Sequence, residues 1–418
     1  MAEVWSWCNW ERQRPRWVEH THARVVAVRC RQLAQVASRP VATTFPPQVR
    51  SGFKPDPDDD DRTVMNSIDD TSEMRVEEWP DDDLEPVTTC PVCGDERRNA
   101  LYTGLTDRVF GCAPGRWSLH RCIGCGSAFL DPRPTENTIG RAYNDYYTHL
   151  TAPGSTSEVR RLWRAVSAGY LNRAFHLEYQ QAFAIGTVLV ALVPRLRRTA
   201  RRRARHLVLP TRGARLLDVG CGSGAFVAEA RVAGWDAEGI DVDQSGVDAG
   251  QAAGRHVRLG RIDDGTVLDG LYDAITLSHV IEHVHDPASI LIACAKKLQP
   301  GGVLWVATPD LDSLGHRWFG RDWVHLDPPR HLLLFTVGSL SSLITSAGFE
   351  ELDVLAAPSD AEQSFAASHA LRLGLRPFVG VPTPARVRIA AAVADMRIHA
   401  TGRRSDEVIV TARKPLAS

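Results

Sequence analysis

Thr89-Cys-Pro-Val-Cys-Gly94 and Arg121-Cys-Ile-Gly-Cys-Gly126 repeat one pattern, C-x-x-C-G, with 28 residues between the two cysteine pairs. A two-residue spacing lets both thiolates of a pair reach one cation. Two such pairs supply four sulfurs, the ligand set of a closed tetrahedral zinc centre. Cys90, Cys93, Cys122 and Cys125 are therefore the expected ligands of one structural Zn2+. The glycine after each second cysteine suits a turn that aims backbone amides at sulfur. Free thiols or disulfides are the alternative for the same spacing. Of the five remaining cysteines, Cys221 lies inside a glycine-rich loop, and Cys8, Cys30, Cys112 and Cys294 have no partner spacing and read as spare thiols.

A second constellation begins at Leu216-Leu-Asp-Val-Gly-Cys-Gly-Ser-Gly-Ala-Phe226, an apolar run entering three alternating glycines. Such glycines allow a sharp turn and a close approach of backbone to ligand. Gly220, Gly222 and Ala225 also satisfy a dinucleotide fingerprint, so the motif alone leaves NAD open. Charge favours another ligand. Asp218 would repel a pyrophosphate but attract a cation such as the ammonium or sulfonium of S-adenosylmethionine (SAM). Nineteen residues after Gly222, the segment Gly239-Ile-Asp-Val-Asp243 places Asp241 where a carboxylate can accept from both ribose hydroxyls, while Asp243 suits a helix cap.

A third group lies in Tyr272-Asp-Ala-Ile-Thr-Leu-Ser-His-Val-Ile-Glu-His-Val-His-Asp286. Ser278 and His279 leave the end of an apolar run. An imidazole titrates near neutrality and suits proton removal from a hydroxyl, which makes His279 the first expectation for a base. If a helix begins there, Glu282 and His283 share its face and could orient or replace His279. His331, in Pro329-Arg-His331, is the more distant option. The same histidines could equally serve only to cap or pack the loop.

The elements that must carry these residues follow from hydrophobic periodicity. Strands are predicted at 215–219, 237–242, 257–259, 272–277, 303–307, 352–355 and 407–411, with helices at 225–232, 245–253 and about 288–297. This strand–helix alternation is the rhythm of a parallel sheet, whose ligands gather at the carboxyl ends of its strands. Residues 1–87 show no periodicity and include the acidic runs Asp58 to Asp61 and Asp81 to Glu85, so they read as a disordered extension. An internal start at Met65 or Met74 would remove most of it. Residues 88–150 form the cysteine module, expected to fold apart from the rest so that its loss leaves the cofactor pocket formed. Residues 151–212 form a helical connector, and 213–418 the catalytic domain with a helical insertion near 360–400.

Composition narrows the function classes. Lys+Arg number 49 and Asp+Glu 50, so no net field draws the chain to nucleic acid. Residues 88–150 carry no dense basic stripe, and no Asn-Pro-Pro-Tyr element for a flipped base follows the fourth strand, which weighs against a nucleic-acid partner and leaves a nucleic-acid-binding methyltransferase that uses the zinc module, or a non-catalytic SAM-binding protein, as the alternatives. Nine cysteines, four of them in metal-type pairs, favour a reducing compartment, and no secretory signal is visible, so the expected location is cytoplasmic. Phe183 to Pro194 is apolar but short of the ~20 residues that span a bilayer. Seven arginines lie between Arg195 and Arg205. The expectation is a buried helix followed by a solvated basic one, with association to a membrane surface as the alternative.

At LLDVGCGSGAF, GIDVD and DAITLSHVIEHVHDP the chain resembles the class I SAM-dependent methyltransferase family. It is similar to the quinone O-methyltransferases and to bacterial glycan and sugar methyltransferases, several of which carry an N-terminal cysteine module. Asp327-Pro-Pro-Arg-His-Leu-Leu-Leu-Phe-Thr336 and the terminal Ser405 to Lys414 resemble the same branch. The likeness covers about 213 to the end. It implies an α/β, Rossmann-like seven-stranded fold with an antiparallel last strand, preceded here by a small zinc-ribbon-like module. It further implies SAM-dependent methylation of an oxygen or carbon on a small-molecule or glycan acceptor. The resemblance places Gly220, Gly222 and Gly224 along the methionine portion, with Cys221, Val242 and Ser278 beside Asp218 and Asp241 as cofactor contacts. An acidic residue after the third strand reads the adenine amine in this family. Here Arg261 occupies that slot, and Asp263 is the substitute.

Overall fold

The computed structural model describes residues 78–143, 158–263, 268–355, 361–377, 382–401 and 405–416. The acidic run Asp58 to Asp61, Met65, Met74 and residues 144–157 lie outside them, as do Cys8 and Cys30. Residues 78–87 are not a disordered tail. Trp79 is buried edge-on against Trp117 with ring centroids 5.5 Å apart. β1 (Leu84–Glu85) pairs with β5 (Arg133–Pro134), and the Val87 amide donates to Asp131 Oδ1 at 2.8 Å. Two tryptophan faces removed from water outweigh the charge repulsion of Asp81 to Asp83.

The cysteine module is a small antiparallel sheet of β2 (Arg98–Leu105), β3 (Trp117–Cys122) and β4 (Ala128–Leu130). The connector is three helices, α1 (Glu158–Phe175), α2 (Gly186–Leu192) and α3 (Pro194–Arg203), with an irregular stretch between α1 and α2. Pro194 starts α3 where its missing amide costs nothing. There follow β6 (Arg215–Val219), α4 (Ala225–Val232), β7 (Asp236–Asp241), α5 (Gln244–Ala252) and β8 (Val257–Leu259). Next come β9 (Tyr272–Ser278), α6 (Pro287–Lys297), β10 (Leu298–Pro309), α7 (Leu314–Phe319), β11 (Leu333–Leu334), α8 (Val337–Ser346) and β12 (Glu350–Leu355). The chain closes with α9 (Ala361–Arg372), α10 (Ala385–Thr401) and β13 (Glu407–Arg413).

Seven strands form one sheet in the order β12-β13-β10-β9-β6-β7-β8, parallel except for β13. Its central strands are buried on both faces, which is why Leu216, Leu217, Ile275, Leu277 and Leu304 to Ala307 read as continuous apolar runs. The chain reverses its strand order at β6 and β9, opening the crevice at their carboxyl ends.

The module boundary expected at residue 150 does not hold in space. β11, from the segment 333–334, pairs antiparallel with β4 and completes the module's four-stranded sheet. Leu119, Phe129 and Leu130 of the module share one apolar core with Leu217, Ile275 and Val306 of the large sheet. The module is therefore not an independent unit. The sheet's other face packs on α1 to α4 through Leu171, Val227, Ala237 and Trp305.

Candidate functional site

The glycine turn between β6 and α4 holds Gly220, Gly222 and Gly224 at φ of 66°, 53° and 73°, a region costly for other residues. A Cβ on Gly220 would lie 2.3 Å from Val280, and one on Gly224 would lie 2.4 Å from Val257. Those two glycines serve packing as well as backbone shape. Gly222 differs, because a Cβ there meets nothing within 4 Å. It is the point of the turn where a ligand can approach the chain.

Asp241 ends β7 and ties two loops together. Its Oδ2 accepts from the Gly222 amide at 2.6 Å and its Oδ1 from the Asp243 amide at 2.9 Å. A carboxylate has about four acceptor positions, so room remains for two hydroxyl donors. Asp243 caps α5 by accepting from the amides of Ser245 and Gly246. Val242 between them is 71% exposed, an apolar surface beside the carboxylate. Cys221 tucks its sulfur under Gly239, where a Cβ would come within 2.6 Å of it, and burial pushes its thiol pKa up. Ser278 closes β9 opposite Ala307, half-buried at the same edge.

Two expected cofactor contacts have other partners. Asp218 is 1% exposed and its carboxylate accepts from Arg205 and, at 2.9 Å, from Thr276 Oγ1. The Arg205 guanidinium lies 3.6 Å from the Phe226 ring centroid and 5.2 Å from that of Trp305. The negative charge that was expected to attract a cationic ligand is thus neutralised from within, by the last arginine of the basic run. Asp263 is likewise engaged, with both oxygens 3.0 Å from Arg261, which also binds Glu136.

The edge of the sheet beyond β9 carries the polar cluster. No helix begins at His279; residues 281–283 form a turn, and α6 starts at Pro287 under an Asp286 cap. His279 sits at φ 55° and its ring is clamped from both sides. Nδ1 lies 3.1 Å from Glu282 Oε1, and Nε2 lies 3.1 Å from Glu407 Oε1. Burial pushes the imidazole's pKa down, but the two carboxylates outweigh it and raise it to about 10. With a carboxylate on each ring nitrogen, the charged form is favoured and neither nitrogen is open to accept a proton, which argues against the expected role of His279 as a base. Burial pushes both carboxyls up, yet His279 holds Glu282 at about 2 and, with Arg202, holds Glu407 at about 2. Glu282 also accepts from Thr308 Oγ1 at 2.8 Å, and Glu407 from Arg202 at 2.7 and 3.1 Å.

His283 and His331 meet beside this clamp, with ring centroids 4.7 Å apart. Nδ1 of His283 lies 3.0 Å from the Arg330 carbonyl, and Nδ1 of His331 lies 2.8 Å from the His325 carbonyl. Nδ1 of His331 thus bears the proton and its Nε2 keeps its lone pair, while Nδ1 of His283 also lies 3.1 Å from the Tyr143 hydroxyl. Burial and the neighbouring His283 lower the His331 pKa to about 4, so its ring is neutral. Glu282, His283 and His331 offer atoms within 4.8 Å of one another, but both Glu282 oxygens already serve His279 and Thr308. The side chains of the three make their hydrogen bonds to groups outside the trio.

Arg330 braces this edge to the cysteine module. It is fully buried and paired with Asp327 at 2.7 Å and Asp107 at 2.6 Å, with the Ala142 carbonyl at 2.9 Å and the Phe110 ring below it. Arg330 and hydrogen bonds from backbone amides offset the burial of Asp107 and hold its carboxyl down at about 2.

In the module, Cys90 Sγ lies 3.7 Å from Cys125 Sγ and Cys93 Sγ lies 3.5 Å from Cys122 Sγ, all four within 4.8 Å. Tetrahedral ligands at about 2.3 Å from zinc stand roughly 3.8 Å apart, so the spacing fits the ion. Gly94 and Gly126 take φ of 75° and 78° and return their amides to the carbonyls of Cys90 and Cys122.

Sequence patterns did not mark Arg202, Arg205, Thr276, Thr308, Arg330 or Glu407. The basic run was the one available signal: with no acids near in sequence, its arginines needed acceptors elsewhere in the fold.

Residues 193–354 match the family model of a methyltransferase domain. Among curated proteins, the ubiquinone biosynthesis O-methyltransferase of Pectobacterium atrosepticum is 36% identical over 110 residues, 23% of this chain and 43% of the relative. That of Psychrobacter arcticus is 30% identical over 161 residues, 34% of this chain and 62% of the relative. The chain thus spans about half the length of the curated relatives it matches. Among solved structures, a Thermotoga maritima SAM-dependent methyltransferase aligns at TM-score 0.34 and 19% identity, covering 56% of this chain and 96% of its own. The Haemonchus contortus phosphoethanolamine N-methyltransferase 2 aligns at 0.38 and 13%, covering 69% and 63%.

Proposed function

We propose that this protein, whose residues 193–354 match the family model of a methyltransferase domain, transfers a methyl group from SAM to an oxygen or carbon of a small-molecule or carbohydrate-like acceptor. The observation that carries the reading is the Asp241 carboxylate, anchored on the Gly222 amide beside the open face of that glycine. Gly220, Gly222 and Gly224 would line the methionine portion, Asp241 would hold the ribose, and Val242 would pack on the adenine. The curated relatives are named for O-methylation, which favours oxygen over carbon as the acceptor atom. Four thiols with the spacing of a tetrahedral site support one structural zinc as the second bound group.

Bound SAM supplies a methyl group on a sulfonium, and the protein's main task is to align the acceptor atom with it. The acceptor's electron pair forms the new bond to carbon while the carbon–sulfur pair leaves with sulfur. In this reading the clamped imidazolium of His279 is a positioning residue that fixes the floor of the acceptor site. If the acceptor is a hydroxyl, its proton passes to an imidazole nitrogen of the His283–His331 pair.

Isothermal calorimetry with SAM and S-adenosylhomocysteine tests the cofactor. Asp241→Ala should weaken both by about 1.5 to 3 kcal/mol, the cost of a lost bidentate polar contact. Equal affinity for the variant removes Asp241 from the ribose, and tight NAD binding in place of SAM overturns the reading. Radiolabelled methyl transfer to catechols, compared with simple glycosides, tests the acceptor class.

A further inference from the structure

The connector reverses the expected arrangement of its two parts. The apolar helix α2 is turned outward, with Ile185 69%, Val188 60% and Leu192 74% exposed and Leu189 beside them. These positions fall at i, i+3, i+4 and i+7, one continuous helix face. The opposite face cannot rotate out, because Gly186 packs directly on α1, where a Cβ would meet the Val166 carbonyl at 1.8 Å. The arginines of α3 largely turn inward. Arg202 binds Glu407, Arg203 binds Glu229 and Arg201 binds the Tyr170 hydroxyl, leaving Arg195 exposed at the junction with α2.

Helix α10 presents a second surface of the same kind. Ile389, Val393 and Met396 are exposed along one face, with Arg386, Arg388 and Arg397 exposed around them. The single acid on this helix, Asp395, is half-buried with an enclosed oxygen. The helix that follows α2 touches α10, since Arg198 of α3 reaches the Ile398 carbonyl at 3.4 Å. No acidic residue occurs between Glu178 and Asp218.

We propose that the outward faces of α2 and α10, with their bordering arginines, dock this protein on an anionic phospholipid bilayer. Apolar side chains enter the headgroup boundary while exposed guanidinium groups pair with lipid phosphates, the two contributions that hold a surface helix on a membrane. The charge argument selects this occupant: a patch flanked by arginine and lacking acid is complementary to negatively charged lipid. The attachment is peripheral, as no helix among the described residues is long and apolar enough to cross a bilayer. An acceptor dissolved in or anchored to the membrane would then reach the enzyme without crossing water. The proposal stands apart from the cofactor assignment, because vesicle binding is read without SAM.

The test is flotation of the full chain with vesicles of 30% phosphatidylserine in phosphatidylcholine, compared with phosphatidylcholine alone. The protein should float with the anionic vesicles at low salt and be released several-fold by 0.5 M salt. Val188→Glu with Leu192→Glu, and separately Ile389→Glu with Met396→Glu, should each cut flotation at least fivefold. Unchanged thermal unfolding shows that these exposed positions leave the fold intact, and Arg195→Glu or Arg388→Glu gives a second pair of variants should either helix fail to tolerate glutamate. No flotation at low salt, or flotation that survives substitution of either helix, overturns the proposal. So does a dimer in sedimentation velocity that the same substitutions dissociate, since a second copy would then be the occupant.

Discussion

The cysteine knuckles and the histidine edge of the large sheet are both dense polar clusters, but they satisfy charge in opposite ways. The knuckles gather four thiols within 4.8 Å of one another, so as thiolates they require an added cation. At the edge, Glu282, Glu407 and Asp218 each have a cationic partner supplied by the chain: His279, Arg202 and Arg205. A cluster that must import charge is a site for a metal. A cluster already neutral acts through shape and position, and its remaining chemistry lies in the adjoining His283 and His331 rings.

The largest expected effect tests whether the two regions are one cooperative body. Binding of a structural zinc is worth about 10 to 16 kcal/mol, comparable to the whole stability of a domain. Because Leu119 and Phe129 share a core with Leu217 and Val306, chelation or Cys122→Ser should abolish cooperative unfolding and SAM binding together. Thermal melts and calorimetry on the same sample check this. Intact SAM binding after zinc removal would break the comparison and restore an independent module.

A smaller effect is expected at the brace between them. Arg330→Met strands Asp107 and Asp327 as buried charges without their partner, which should cost about 3 to 5 kcal/mol in denaturant unfolding. A loss below about 1 kcal/mol would show that solvent reaches the pair.

The mildest prediction concerns protonation. His279 is raised from 6.5 to about 10 on folding, so its contribution to stability is full below about pH 6.5 and lost as pH rises through about 10. Glu282 and Glu407 are lowered from 4.5 to about 2, so theirs is full above about pH 4.5 and lost as pH falls through about 2. The stability gap between wild type and His279→Gln should therefore be widest between about pH 4.5 and 6.5 and should shrink on the alkaline side. Proton resonances of the His279 ring should titrate well above neutrality. Titration near pH 6.5 would return the residue to the pool of candidate bases.

Legibility in the sequence followed the reach of each interaction. The strands at 215–219 and 257–259 and the helix at 225–232 were readable to the residue, because periodicity and glycine placement are local properties. The metal-type spacing of the cysteines is local too. His279 was readable as a residue at the edge but not as a cation, because Glu407 reaches it from 128 positions away. Asp218 was read from its own charge alone, and its partner Arg205 lies in a segment whose composition suggested solvent. The connector misled for the same reason: apolar and basic runs state what a helix can face, and the packing of Gly186 on α1 decides what it does face.

The strand β11 carries a consequence for how the chain is made. The cysteine module emerges early in synthesis with its β4 edge open, and the two residues that close that edge lie some 200 positions later. At about 5 to 20 residues per second, that interval is roughly 10 to 40 s. For that time a nascent sheet edge containing Phe129 and Leu130 stands unpaired, so the early half of the protein must wait, exposed to edge-to-edge association, for the late half to cover it.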